Sequence, residues 1–100
     1  MEEKDKKKLI NQVKMVVRTE FPDFAFDEYN NKDFDGFIEL AELMRKEATG
    51  YFGKFSFLWL VISLLYQAER VRVGKEDLRI VYENMSQKYW DKAENSIEKY

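Results

Sequence analysis

Oxygen-bearing side chains between residues 31 and 42 have the spacing of a calcium-binding loop. Calcium takes six to eight oxygen ligands, and a twelve-residue EF-hand loop supplies them from positions one, three, five, seven, nine and twelve. Gly36 stands where the loop requires glycine, and the backbone carbonyl of Phe37 would occupy position seven. The side chains at the other positions are those of Asn31, Asp33, Asp35, Glu39 and Glu42. Calcium binding is therefore one interpretation of this segment.

The same residues also fit a polar turn that begins a helix. The first loop position is Asn rather than the usual Asp, and Pro22 leaves only about eight residues for an incoming helix, which is short for an EF-hand. The chain also contains no second loop with which the first could pair. Aspartate favours helix N-termini because its side chain accepts hydrogen bonds from free backbone N–H groups. The sequence therefore favours a helix that starts at an Asp35 N-cap over a metal site.

The absence of cysteine and histidine excludes several kinds of chemistry. A chain without cysteine forms no disulfide and has no thiolate metal site or cysteine nucleophile. A chain without histidine lacks the commonest general base and the commonest transition-metal ligand. No glycine-rich loop that could hold a phosphate accompanies the carboxylates. We therefore predict a protein that is not an enzyme and needs no cofactor.

Acidic residues are concentrated in one segment, Glu20 to Glu42. It contains eight carboxylates and one lysine, a balance of −7, whereas the whole chain carries −2 and residues 51–100 carry +1. A segment of this charge repels nucleic acid and attracts basic surfaces. One hypothesis is therefore an acidic adaptor or inhibitor, of the sort carried by phages and mobile elements, that binds a basic protein or mimics nucleic acid. Its candidate contact residues are Asp27, Glu28, Asp33, Asp35 and Trp90.

Apolar residues recur at helical spacing along most of the chain. We predict one all-α domain over residues 1–100, a small bundle of four to five helices. The predicted helices run from about Lys6 to Glu20, from Asp35 to Gly50, from Ser56 to Arg70, from Glu76 to Tyr89, and onward from Asp91. The third is apolar on nearly all sides, which predicts a position at the centre of the bundle.

No segment has the length and composition of a membrane anchor or an export signal. The most apolar run, residues 55–66, is shorter than the roughly 20 residues that cross a bilayer. The N-terminal residues mix acidic and basic side chains and have no apolar core of the signal-peptide kind. We therefore expect a cytoplasmic protein that does not contact a membrane.

Residues 77–100 have the spacing of a helix-turn-helix. Leu78, Val81 and Met85 give the first helix an apolar face, Ile97 does so for the second, and Trp90 lies in the predicted turn between them. In such a motif, lysines near the turn contact phosphate and polar side chains of the second helix face base edges. The candidate DNA-binding residues are Lys88, Lys92, Asn95, Ser96 and Lys99.

Three segments in this half of the chain resemble a known DNA-binding domain. They are "FSFLWLVISLLY", "YENMSQKY" and "SIEKY". With them, residues 54–100 resemble the C-terminal helix-turn-helix domain of the sporulation response regulator family, stage zero sporulation protein A. The resemblance implies a bacterial or phage transcription regulator whose last helix lies in the DNA major groove. Because one weakly basic helix would hold DNA poorly, we also expect a homodimer.

Two functions therefore remain open at the level of the sequence. The first is a DNA-binding regulator that uses residues 77–100, and it is supported by the helix spacing and the resemblance. The second is an acidic binding protein that uses residues 20–42, and it is supported by the local charge of −7. The sequence slightly favours the first.

Overall fold

The computed structural model describes residues 2–47 and 56–95 of the chain. These residues form four α-helices, α1 (Glu3–Glu20), α2 (Asn31–Glu47), α3 (Ser56–Val73) and α4 (Glu76–Glu94), with a short 3-10 helix (Phe26–Glu28) between the first two. This part of the chain contains no β-strand, so the predicted all-α bundle is confirmed. None of its helices is both long and apolar enough to cross a membrane.

Helix α3 lies at the centre of the bundle, as its composition predicts. Its apolar side chains, among them Leu60, Ile62 and Leu65, are fully buried. It packs against each of the other three helices, which explains why it has no continuous polar face. The helix continues to Val73, beyond the predicted end at Arg70. Each large apolar side chain buried in this way contributes about 1.5–3 kcal/mol of transfer free energy.

Helices α1 and α2 each bury one stripe of side chains against α3. On α1 the buried residues Leu9, Val13 and Val17 are spaced four apart, so they lie on one face of the helix. Helix α1 begins at Glu3 rather than at Lys6. Acidic residues in its first turn explain the earlier start, because negative charge is favourable at a helix N-terminus. The corresponding buried residues of α2 are Phe34, Ile38 and Ala41.

Helix α2 begins with a capping box formed by Asn30 and Asp33 rather than at the predicted Asp35 N-cap. The Asn30 side-chain oxygen accepts a hydrogen bond from the backbone N–H of Asp33 at 3.0 Å, and the Asp33 carboxylate accepts one from the backbone N–H of Asn30 at 2.9 Å. These reciprocal bonds satisfy backbone donors that the start of a helix leaves free. The helix therefore starts at Asn31, and the prediction of an Asp35 N-cap is wrong.

Helices α3 and α4 form an antiparallel hairpin that turns at Gly74. This glycine has a φ of 68°, in the left-handed region that residues with a Cβ rarely adopt. Farther along the hairpin, the Ser63 hydroxyl donates to the Ser86 carbonyl at 2.8 Å, and the Ser86 hydroxyl donates to the Ser63 carbonyl at 2.9 Å. Both serines are buried, so the small side chains let the two helices approach closely while their hydroxyls remain hydrogen-bonded.

The turn predicted within a C-terminal helix-turn-helix is absent, because α4 continues through Trp90 and Asp91 to Glu94. Side-chain hydrogen bonds link successive turns at this point: Gln87 donates to Asp91 at 2.8 Å, and the Trp90 indole donates to Glu94 at 2.6 Å. The segment also lacks glycine and proline, which would interrupt a helix. Other residues of the sequence analysis, Gly50, Ser96, Ile97, Lys99 and Tyr100, lie outside the described part of the chain.

Candidate functional site

The described DNA-binding candidates lie on one stripe of α4, but two of them already have partners. Lys88 and Lys92 are four residues apart and Asn95 follows three later, so helical geometry brings them to the same side. The Lys88 ammonium is 3.1 Å from the Glu20 carboxylate, which anchors it to the end of α1. The Lys92 ammonium lies 4.3 Å from the centroid of the Trp59 ring. All three residues are exposed at the C-terminal end of α4, and the two lysines also contact side chains of α1 and α3.

The calcium-loop candidates lie along the first turns of α2, so the twelve-residue loop is not formed. An EF-hand loop wraps around its ion, whereas a helix directs successive side chains to different sides. Asp33 serves in the capping box, and Asp35 pairs with Lys6 at 3.4 Å, a hydrogen-bonded contact that raises the pKa of Lys6. Among the described residues, no three acidic side chains come together as metal ligands would. The other candidates, Asn31, Glu39 and Glu42, are exposed.

Residues 21–28, which we call the acidic turn, present carboxylates on a backbone that aromatic side chains hold in place. Asp23, Asp27 and Glu28 are exposed. Between them Phe24 is buried, with its ring centroid 4.7 Å from that of Phe26. Backbone hydrogen bonds at 2.9–3.1 Å close the turn at several points along its length. The acidic side chains are thus carried by an ordered segment of the chain.

Only part of the predicted partner-binding set is available at the surface. Asp27 and Glu28 are exposed on the acidic turn, whereas Asp33 and Asp35 take part in structural contacts. Trp90, predicted as an exposed anchor in a turn, instead lies on α4 and packs partly buried against the core. Asp23, which is not among the residues predicted from the sequence, is exposed on the acidic turn. Its position beside Pro22 and between two phenylalanines is the signal that could have indicated an ordered, exposed carboxylate.

Glu20, at the start of the acidic segment, points into the molecule. Its carboxylate accepts hydrogen bonds from the hydroxyls of Tyr66, at 3.2 Å, and of Tyr89, and it pairs with Lys88. Burial raises the pKa of both tyrosines, and the neighbouring Glu20 charge raises them further. This carboxylate stabilises the contact between α1 and the α3–α4 hairpin and contributes little to the external charge.

Glu69 is a second internal carboxylate, on α3, and it is almost completely buried. It accepts a hydrogen bond from the Tyr29 hydroxyl at 3.3 Å and pairs with the Arg72 guanidinium. The hydrogen bond that Arg72 donates to Glu69 raises the pKa of Arg72, and burial followed by the Glu69 charge raises the pKa of Tyr29. Because Tyr29 directly follows the 3-10 helix, these contacts attach the acidic turn to α3.

An open cleft of about 460 Å³ lies between the acidic turn and the turning point of the α3–α4 hairpin. One wall is formed by residues 20–25, and the other by the end of α3 and the start of α4. Apolar side chains, among them Pro22, Leu78 and Tyr82, line much of it. The carboxylates beside it are those of the partly buried Glu20 and the buried Glu69, and both already accept hydrogen bonds from neighbouring side chains.

Comparison of the chain with protein-family models, with curated protein sequences and with solved structures found no match. The resemblance of residues 54–100 to the sporulation regulator domain therefore stays a prediction from three short sequence segments.

Proposed function

We propose that this chain is a binding protein without catalytic activity, whose acidic turn docks on a basic surface of a partner protein. The observation that carries the proposal is the exposure of Asp23, Asp27 and Glu28 on a turn that is held by the buried Phe24 ring and its contact with Phe26. Charges held in one arrangement lose little conformational freedom on binding, so more of the interaction energy contributes to affinity. They also speed the encounter with a partner of opposite charge.

The structural roles of the other acids support this assignment of the contact surface. In the segment from residue 20 to residue 42, Glu20 holds the hairpin, Asp33 caps α2 and Asp35 pairs with Lys6. The acids of the turn have a different environment, since they are exposed while Phe24 between them is buried and Phe26 is partly buried. Recognition is the role that this arrangement supports best.

DNA binding through Lys88, Lys92 and Asn95 stays a prediction. Sequence-specific reading of DNA by a helix-turn-helix requires a second helix that can enter the major groove. The described part of the chain continues α4 where that motif would turn, and Lys88 is paired with Glu20. For this reason we base the proposal on the acidic turn.

The proposal is tested by neutralising the acidic turn and comparing the result with an equal change of charge elsewhere. The turn variant carries Asp23→Asn, Asp27→Asn and Glu28→Gln. The control variant carries Glu39→Gln, Glu42→Gln and Glu47→Gln, three exposed positions on α2. The probe is a fluorescein-labelled dodecapeptide with four lysines in a glycine–serine background, titrated with each protein and followed by fluorescence anisotropy.

We expect the turn variant to bind the lysine peptide about tenfold or more weakly, because it loses close, ordered charge pairs. The control variant loses only long-range attraction, which salt screens, and should change affinity by about twofold or less. Equal losses in the two variants would show that the peptide responds to net charge and would contradict the proposal. Thermal unfolding of both variants confirms that the fold is kept.

A further inference from the structure

We propose that the cleft beside the acidic turn takes one bulky apolar side chain of the partner, so that the recognised segment is a basic peptide with a single aliphatic or aromatic anchor. This inference depends on the proposed function, and it adds the nature of the partner segment. The cleft and the acidic turn share residues, because Pro22, Asp23 and Phe24 belong to both. A ligand that contacts the Asp23 carboxylate therefore lies at the mouth of the cleft.

The lining of the cleft is mixed, with charged side chains such as those of Arg72 and Lys75 beside apolar ones. Among the apolar ones, Leu78 lies on the α4 side and is 42% exposed. Tyr82 is partly buried beside it, with its ring 5.3 Å from that of Phe21 and 6.2 Å from that of Phe24. These rings fix the floor and one wall, so the cleft exists before a ligand arrives. Covering Leu78 with another apolar side chain removes its exposed surface from water, which is favourable.

The size of the cleft agrees with this occupant. Its volume of about 460 Å³ lies within the range of sites that hold small ligands, roughly 300–1,000 Å³. Protein interfaces commonly place an aromatic or aliphatic anchor in such a pocket and surround it with polar and charged contacts. The acidic turn supplies those contacts on one side of the cleft.

The charges around the cleft select a basic segment and also orient it. Glu20 and Glu69, which lie beside the cleft, are offset by Lys88 and by Arg72 respectively. The exposed charges at the rim are then Asp23 on the turn side and Arg72 and Lys75 on the hairpin side. Basic residues of a bound peptide are attracted toward Asp23 and repelled by Lys75. Asp27 and Glu28, which are exposed on the same turn, add negative charge on that side, so a basic peptide is favoured when its basic residues lie on the turn side of the anchor.

The test compares two labelled dodecapeptides that each contain the same four lysines in a glycine–serine background. One has leucine as its central residue, and the other has alanine at that position. We expect the leucine peptide to bind the unmodified protein about tenfold more tightly, as burial of the larger side chain requires. Equal affinities would overturn the cleft inference and leave the acidic-turn proposal standing. Absence of binding by either peptide would overturn both.

Two substitutions on α4 test whether the leucine of the peptide binds in the cleft. Leu78→Gln should remove most of the preference for the leucine peptide, because Leu78 lines the cleft. Ile80→Gln is the matched control, since Ile80 is 51% exposed on the same helix and does not line the cleft. A preference that survives Leu78→Gln, or that is equally lost in Ile80→Gln, would overturn the inference. Circular dichroism establishes that both variants keep the helical content of the unmodified protein.

A third variant tests the orientation that Lys75 imposes. Lys75→Glu replaces the repelling charge at the rim with an attracting one, and it should strengthen binding of both lysine peptides several-fold at low salt. The ratio between the leucine and alanine peptides should not change, because the apolar wall of the cleft is untouched. Unchanged affinity for both peptides would show that they do not approach this rim and would overturn the inference.

Discussion

The tyrosine hydroxyls around Glu20 and Glu69 determine how this protein responds to alkaline pH. Tyr66 and Tyr89 contact Glu20, and Tyr29 contacts Glu69. In each case burial raises the pKa, and the nearby carboxylate raises it further. An ionised tyrosine at any of these positions would place a second negative charge against a carboxylate in a partly buried site, which is strongly unfavourable.

The free energy of unfolding should therefore fall as the pH rises above about 10, the ordinary pKa of tyrosine. Below that pH the tyrosines are protonated in both states and their full contribution is present. Above it the unfolded chain loses protons that the folded chain retains, so unfolding becomes easier. Urea denaturation at a series of pH values measures this decline.

Tyr29→Phe provides the control for the alkaline decline, because it removes one of the raised groups. The variant should lose stability less steeply than the unmodified protein between about pH 10 and pH 11.5. A decline of the same steepness in both proteins would contradict the assignment of the raised pKa to Tyr29.

At the scale of elements, replacing either of two glycines with alanine should change the free energy of unfolding, in opposite directions at the two positions. A Cβ added at Gly74 or at Gly36 would meet nothing within 4 Å, so only backbone conformation matters. Gly74 has a φ of 68°, and Gly74→Ala should lower the free energy of unfolding by about 1 kcal/mol or more. Gly36 lies inside α2, and Gly36→Ala should raise it by about 0.5–1 kcal/mol. Urea denaturation of the two variants measures both changes, and changes of the same sign would contradict the described backbone.

The continuity of α4 at Asp91 is a second property of an element that a substitution can test. Proline at this position removes a helical hydrogen bond and clashes with the preceding turn, so Asp91→Pro should cost about 3 kcal/mol in a continuous helix. Asp91→Ala keeps the backbone and is the control, with an expected change of about 0.5 kcal/mol or less. A small effect of proline, measured by urea denaturation, would favour the turn that the sequence analysis predicted.

The helices that the sequence predicts well are those whose apolar pattern has one interpretation. The spacing of Leu9, Val13 and Val17 indicates α1, and the apolar composition of α3 indicates its central position. The errors occur where polar residues decide the boundary. Asn30 and Asp35 are both good N-cap residues, and the choice between them depends on the reciprocal bond that Asp33 makes. The turn predicted near Trp90 is absent. The hydrogen bond from Trp90 to Glu94 and the burial of Ala93 stabilise the helix through this point.

At the scale of the whole molecule, a charge count does not show which carboxylates face outward. The sequence identifies the acidic segment, and it predicts Asp27 and Glu28 as contact residues. Asp33 and Asp35 were grouped with them, because nothing in the composition separates a capping carboxylate from an exposed one. The cleft was not predicted at all, since it depends on how residues 20–25 meet the hairpin near Gly74. That meeting is set by long-range contacts, such as those of Glu20 with Tyr66 and Lys88.

The most direct test of the proposed function is nuclear magnetic resonance mapping of the lysine peptide with a leucine anchor on the isotope-labelled protein. The account predicts that the largest chemical-shift changes fall on the acidic turn, residues 21–28, and on Leu78 and Tyr82 at the cleft. Resonances of Glu39 and Glu42 on the outer face of α2 should change little. Largest changes on α2, or changes spread evenly over all exposed acids, would contradict recognition through the acidic turn.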